Sequence, residues 1–123
     1  MLRTVKILSM DFVLLFAAIS LTNRIPIEQP EVNFQDLVRS GAVIIDVRTG
    51  KDYRKGHIHG AINIEMAKLR TERIQMDTSL VYITYCYMGV SSVEAVDILK
   101  GQGFNHVYNG GGINHLKKEL RKK

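Results

Sequence analysis

The chain has 123 residues, 46% of them hydrophobic and 24% charged, which suits one domain with a single substantial core and excludes a low-complexity polypeptide. Its one cysteine excludes an internal disulfide and any multi-thiolate zinc or iron–sulfur centre, so a chemical role for that residue is nucleophilic. The formal charge of +5 is modest and compatible with small anionic ligands.

The first thirty residues differ from the rest. Arg3 and Lys6 precede an apolar stretch over residues 7–21 that Asp11 interrupts, with small residues Ala17, Ala18 and Ser20 near its end. A basic start, an apolar middle and small residues are the layout of an export signal. The stretch is shorter than the ~20 residues a spanning helix needs, and a carboxylate at mid-membrane costs about 3 kcal/mol. A signal or signal-anchor is the preferred reading, which implies an exported, periplasmic or membrane-anchored protein. A helix packed on the domain is the second reading, and it implies a cytoplasmic one. Membrane contact is expected only through residues 1–21. Pro26 and Pro30 oppose helix and make residues 25–30 a linker. The expected division is therefore 1–30 and 31–123.

From residue 31 on, helix and strand signals alternate. Asn33 is placed to cap a short helix over Phe34–Arg39, with Asp36 at the capping-box position and Gly41 closing it. Residues 42–47 form a continuous, β-branched apolar run, as in a buried parallel strand. A short helix is predicted over 51–55, a short extended segment over 61–64, and a helix over 65–74. Residues 80–85 read as a second buried strand that ends at Cys86. A helix over 92–100 follows, stopped by Gly101 and Gly103, then a short strand over 106–108. Gly110, Gly111 and Gly112 are predicted to make a sharp loop, and residues 113–121 the last helix. This order predicts a three-layer α/β fold, with a mostly parallel central sheet and helices on both faces.

Ligands of such sheets bind at the carboxyl ends of the strands, where Cys86 is predicted to lie. The segment Tyr87, Met88, Gly89, Val90, Ser91, Ser92 then leads into a helix, whose free N–H groups and dipole favour a thiolate. Gly89 permits a tight curl of the backbone, and Ser91 and Ser92 offer hydroxyls that can cap the helix. A buried structural cysteine is the competing reading. His57 and His59 sit on a loop, where a backbone hydrogen bond is the preferred role over general base. His106 and His115 have no ligand spacing, so no metal and no cofactor are expected. The triple glycine has neither dinucleotide nor P-loop layout. Lys117, Lys118, Arg121, Lys122 and Lys123 read as a solvated last helix turn, not a nucleic-acid surface.

Three segments carry a resemblance. Ile45-Asp46-Val47-Arg48, then Asp52-Tyr53, then Gly56 through Ile64 is similar to the first signature of the rhodanese family. Cys86 through Ser92 is similar to its active-site loop, and Gly103-Phe104 with Val107 through Gly112 to its closing segment. The resemblance spans residues 32–116, and the compact form looks most like the periplasmic phage-shock rhodaneses. It implies double-displacement sulfur transfer: Cys86 attacks the outer sulfur of thiosulfate, a persulfide or a polysulfide, then passes the sulfur to cyanide or to a thiol such as glutathione or a thioredoxin-like protein. The backbone of Tyr87, Met88, Gly89, Val90, Ser91 and Ser92 is implied to hold the donor. Asp46 and Arg48 match the family's Asp-x-Arg, and their preferred role, like that of His57, is structural. Related phosphatase and arsenate-reductase loops are one residue longer and end in an arginine; no Lys or Arg stands between Cys86 and Lys100, which disfavours that chemistry. The uncharged loop also makes thiosulfate a poor donor. A rhodanese-type module that only binds a partner is the remaining alternative, disfavoured because the cysteine is retained.

Overall fold

The computed structural model describes residues 30–123, and the expectations for the signal, anchor or packed helix fall outside them. Among the described residues, no helix is long and apolar enough to cross a membrane. Residues Val32–Lys123 make one compact unit. Its elements run α1 (Phe34–Arg39), β1 (Val43–Asp46), α2 (Gly50–Lys55), β2 (Ile62–Asn63), α3 (Met66–Thr71), β3 (Val81–Cys86), α4 (Val90–Gly101), β4 (His106–Gly112) and α5 (Ile113–Arg121). The four strands pair in the order β2-β1-β3-β4, and all three pairings are parallel.

The side-chain period of the strands splits the core between two faces. On β3, Tyr82 and Cys86 face one cluster with Ile45, Leu69, Val96 and Leu99, which α3 and α4 cover. Ile83 and Tyr85 face the other with Phe34, Ile44, Ile113 and Leu116, which α1 and α5 cover. Continuous apolar runs in β1 and β3 follow from this double coverage, since neither face meets water. Asn33 caps α1 as its sequence predicts, its Oδ1 accepting from Asp36 N at 3.1 Å.

Three local expectations change. The helix predicted over 65–74 ends at Thr71, because Glu72 turns extended and carries Ile74 into the α3–α4 cluster; there Ile74 N donates to Gln102 Oε1 at 2.8 Å. Helix α4 starts at Val90, with Gly89 as its N-cap at φ 95° and no side-chain cap, so Ser91 and Ser92 lie inside the first turn and cap nothing. The glycine triplet is not a loop: β4 runs through Gly112 into α5, with a register shift opposite Thr84 and Cys86. Close approach explains it. A Cβ on Gly110 would stand 2.9 Å from Thr84 O, and one on Gly112 would stand 2.8 Å from Tyr87 O. Side chains there would push β4 off β3 and off the loop that follows Cys86.

Candidate active site

Cys86 ends β3 at the carboxyl edge of the sheet, only 5% exposed. Three residues, Tyr87, Met88 and Gly89, separate it from α4. The left-handed Gly89 folds this loop back, so that Gly89 N–H donates to Cys86 Sγ at 2.9 Å. A Cβ at Gly89 would lie 3.2 Å from Gly112 N, so the loop and the glycine strand are fitted backbone to backbone. Burial pushes the Cys86 thiol up, but the Ser92 hydroxyl and the amides of Ser92, Gly89 and Ser91 outweigh it, and its pKa falls below the ordinary value. The thiolate is therefore the favoured form at lower pH than for a free cysteine.

Ser92 is fully buried and has a single hydroxyl proton. At rest its shortest contact is Asn109 Oδ1 at 2.7 Å, with Gly89 O at 3.0 Å. Gly111 N–H donates to the same Asn109 oxygen at 2.8 Å, which identifies that atom as the amide oxygen. Gly89 N–H is thus the donor in hydrogen-bond contact with the resting sulfur, and the Ser92 hydroxyl would have to turn from Asn109 to join it when the sulfur is charged. Ser92→Ala should raise the midpoint of the pH profile of Cys86 alkylation by on the order of one pH unit. Iodoacetamide rates across pH test this; an unmoved midpoint removes Ser92 from the site.

Asp46 and Arg48 form a buried pair one strand away. Arg48 Nε and Nη2 reach the Asp46 carboxylate at 3.0 and 2.6 Å, and Arg48 N–H donates to Asp46 Oδ1 at 2.9 Å. Tyr85 O–H donates to Asp46 Oδ2 at 2.7 Å while accepting from Ile58 N–H at 3.1 Å. Arg48 Nη2 also donates to Gly56 O at 2.7 Å. The network ties β1, β3 and the loop after α2 together, the role its sequence suggests. His57 stacks on Tyr53 with centroids 3.7 Å apart, and its Nδ1 donates to Tyr53 O at 2.8 Å; it does not line the Cys86 cavity.

That cavity holds about 500 Å³ and opens over Cys86. Tyr87, Met88, Val90 and Ser91 line it from the loop and the start of α4, and Arg48, Asp52, Glu65 and Arg70 from the segment after β1, from α2, from the N-cap of α3 and from α3 itself. Sequence reasoning missed Asp52, Glu65 and Arg70 as cavity residues, because their convergence depends on the crossing of α2 and α3 over the sheet. Among the described residues no group of three or more His, Cys, Asp or Glu is placed to hold a metal ion.

Residues 32–119 match the model of the Rhodanese-like domain. The chain belongs to the rhodanese family. The rhodanese chain is similar to the thiosulfate sulfurtransferase GlpE of Ectopseudomonas mendocina, at 36% identity over 78 residues, 63% of this chain and 72% of that one. It is similar to the thiosulfate sulfurtransferase PspE of Escherichia coli at 37% identity over 75 residues, 58% of this chain and 71% of the relative. A rhodanese from E. coli solved with anions superposes at a TM-score of 0.55 and 36% identity, covering 60% of this chain and 89% of that one. A rhodanese-related protein of Thermoplasma volcanium superposes at 0.60 and 30% identity, covering 72% and 91%. The single-domain rhodanese likeness read from the motifs thus has counterparts among these relatives.

Proposed function

We propose that this rhodanese-family sulfurtransferase moves a sulfane sulfur through a persulfide on Cys86. The observation that carries the reading is the buried Cys86 Sγ, held by Gly89 N–H at 2.9 Å at the head of α4 and opening into a cavity large enough for a small donor. The thiolate attacks the outer sulfur of the donor, a sulfur–sulfur bond forms, and the donor's own bond to that sulfur breaks with its electron pair leaving on sulfite or a thiolate. The amides of the loop and the start of α4 then face the terminal persulfide sulfur, where charge collects. A thiol, as in glutathione or a thioredoxin-like protein, or cyanide removes that sulfur and restores Cys86. Donors are thiosulfate, as the names of the relatives suggest, or a persulfide or polysulfide.

A loop of three residues with no cation among Tyr87, Met88 and Gly89 gives a phosphoryl group no bidentate partner, which favours sulfur over phosphorus chemistry. Intact mass after incubation with each donor tests the reading. Wild type should gain about 32 Da and Cys86→Ser nothing, as covalent catalysis at that thiol requires. A protein that gains no mass with any of these donors is a binding module and not an enzyme.

A further inference from the structure

A second cavity, of about 560 Å³, opens on the other face of the sheet and shares no lining residue with the one over Cys86. Helices α1 and α5 and the loop after α2 enclose it. Its floor is apolar: Ile44 and Ile58 are buried, Leu120 is half-buried and Val38 is 36% exposed. Its charged lining is of one sign. Arg39, Lys117 and Arg121 line it, with His57 and His59, and no carboxylate does. Of the acids on or beside α1 and α5, Glu31, Asp36 and Glu119 all lie outside the lining. Asp36 meets Arg39 at 3.5 Å and offsets that one charge, and Glu119 is held by Lys122 at 2.7 Å. Lys117 and Arg121 make no ion pair among the described residues. They stand four residues apart, so one side of α5 presents both. Gln35 Nε2 donates to Leu120 O at 3.1 Å and also to Lys122 O, which fixes α1 against the end of α5. The basic C-terminal run therefore divides: Lys117 and Arg121 turn into the groove, and Lys118, Lys122 and Lys123 stay outside it.

We infer that this groove binds a small amphiphilic anion, with one oxyanion head held by Lys117 and Arg121 and an apolar body laid over Val38, Ile44, Ile58 and Leu120. The volume falls in the range of small-molecule sites, about 300–1,000 Å³. A guanidinium offers two parallel N–H groups to a carboxylate or sulfonate, and an ammonium adds a point charge. The body removes the accessible apolar surface of the floor from water. Ile44 and Ile58, 5% and 6% exposed, form the bottom of the groove, within reach of one inserted molecule and not of a flat bilayer surface. No Tyr, Phe or Trp lines it to stack a nucleic-acid base. The site is separate from the Cys86 thiol and does not depend on sulfur transfer.

Two fluorescent dyes separate head from body. Anilinonaphthalene sulfonate carries one sulfonate on an aromatic body, and phenylnaphthylamine is the same body without the charge. The measurement is the dissociation constant of each dye for the full chain as wild type, Lys117→Gln, Arg121→Gln and Val38→Gln. Lys117 is half-buried and Arg121 and Val38 are exposed, so these changes leave the core untouched. Backbone amide shifts of nitrogen-labelled wild type, followed through the same titration, locate the dye.

Wild type should bind the sulfonate about fivefold or more tighter than the neutral dye, and added salt should narrow the difference. Lys117→Gln and Arg121→Gln should each weaken the sulfonate about three- to tenfold and leave the neutral dye within about twofold, which also shows that the groove is intact. Val38→Gln should weaken both dyes. Amide shifts should move at Val38, Ile58 and Leu120 and not at Tyr87, Met88 and Val90. Sulfonate affinity that is unchanged in both charge variants, or shifts confined to the loop after Cys86, overturns the inference. So does a protein that floats with phosphatidylglycerol vesicles and binds neither dye, since a membrane is then what the basic face meets.

Discussion

Replacing Cys86 with serine should lower sulfur transfer by about 10⁴-fold or more while leaving the fold intact, because the step has no other nucleophile to fall back on. Cys86 is the chain's one cysteine. A serine hydroxyl at the end of β3 meets the same Gly89 N–H and the same helix terminus, but it stays protonated at neutral pH and makes no stable bond to sulfane sulfur. The exchange is nearly isosteric in a site that is 5% exposed, so thermal unfolding should change little. Steady-state turnover and a melting curve on the same sample check both halves. Residual turnover within tenfold of wild type would mean that the sulfur is carried elsewhere.

Removing the carboxylate of Asp46 should act in the opposite way, on stability before chemistry. Asp46 is fully buried and accepts from Arg48 N, Nε and Nη2 and from Tyr85 O–H. Asp46→Ala leaves the Arg48 guanidinium, whose side chain is 8% exposed, without its counter-ion. Breaking a buried pair by taking one partner costs about 3–5 kcal/mol, since the remaining charge stays desolvated. Tyr85→Phe deletes the hydroxyl's two hydrogen bonds, the one donated to Asp46 Oδ2 and the one accepted from Ile58 N–H, but leaves the ion pair, at a cost of about 2 kcal/mol. Burial and the neighbouring Asp46 carboxylate both push the Tyr85 hydroxyl well above its ordinary range, so it donates as a neutral phenol at all working pH values. Denaturant midpoints for the two variants should therefore rank Asp46→Ala far below Tyr85→Phe; equal losses would mean that the ion pair adds nothing beyond a hydrogen bond.

These two variants divide the motif residues by what they touch. In the proposed transfer Cys86 meets the donor. Asp46 holds the end of β1 against β3 and, through Arg48 and Gly56, positions the loop that carries Ile58 into the core. Arg48 belongs to both worlds, since it completes the pair and also lines the cavity. Its guanidinium is raised above its ordinary range chiefly by the hydrogen bonds it donates to Asp46, against the opposing effect of burial, so it remains charged under every assay condition.

What the sequence determined by itself is local or periodic. The apolar runs of β1 and β3 announce strands covered on both faces, Asn33 announces the start of α1, and the position of Cys86 after a buried strand announces a thiol at the carboxyl edge of a parallel sheet. Each of these depends on neighbours within a few residues, so a linear reading reaches them. The tertiary structure decided the rest. Gly110, Gly111 and Gly112 look like a turn in sequence, yet they continue a strand: atoms of Thr84, Leu116 and Tyr87 exclude a side chain at Gly110 and Gly112, and Gly111 takes a left-handed φ of 77°. Ser92 looks like a cap, yet it sits inside α4 and reaches Asn109 on the neighbouring strand. Asp52 belongs to the first signature and Glu65 and Arg70 to no motif, and nothing local marks any of the three as a neighbour of Cys86. Only the crossing of α2 and α3 over the carboxyl edge brings their charges to one cavity, and no local periodicity encodes contacts between such distant segments.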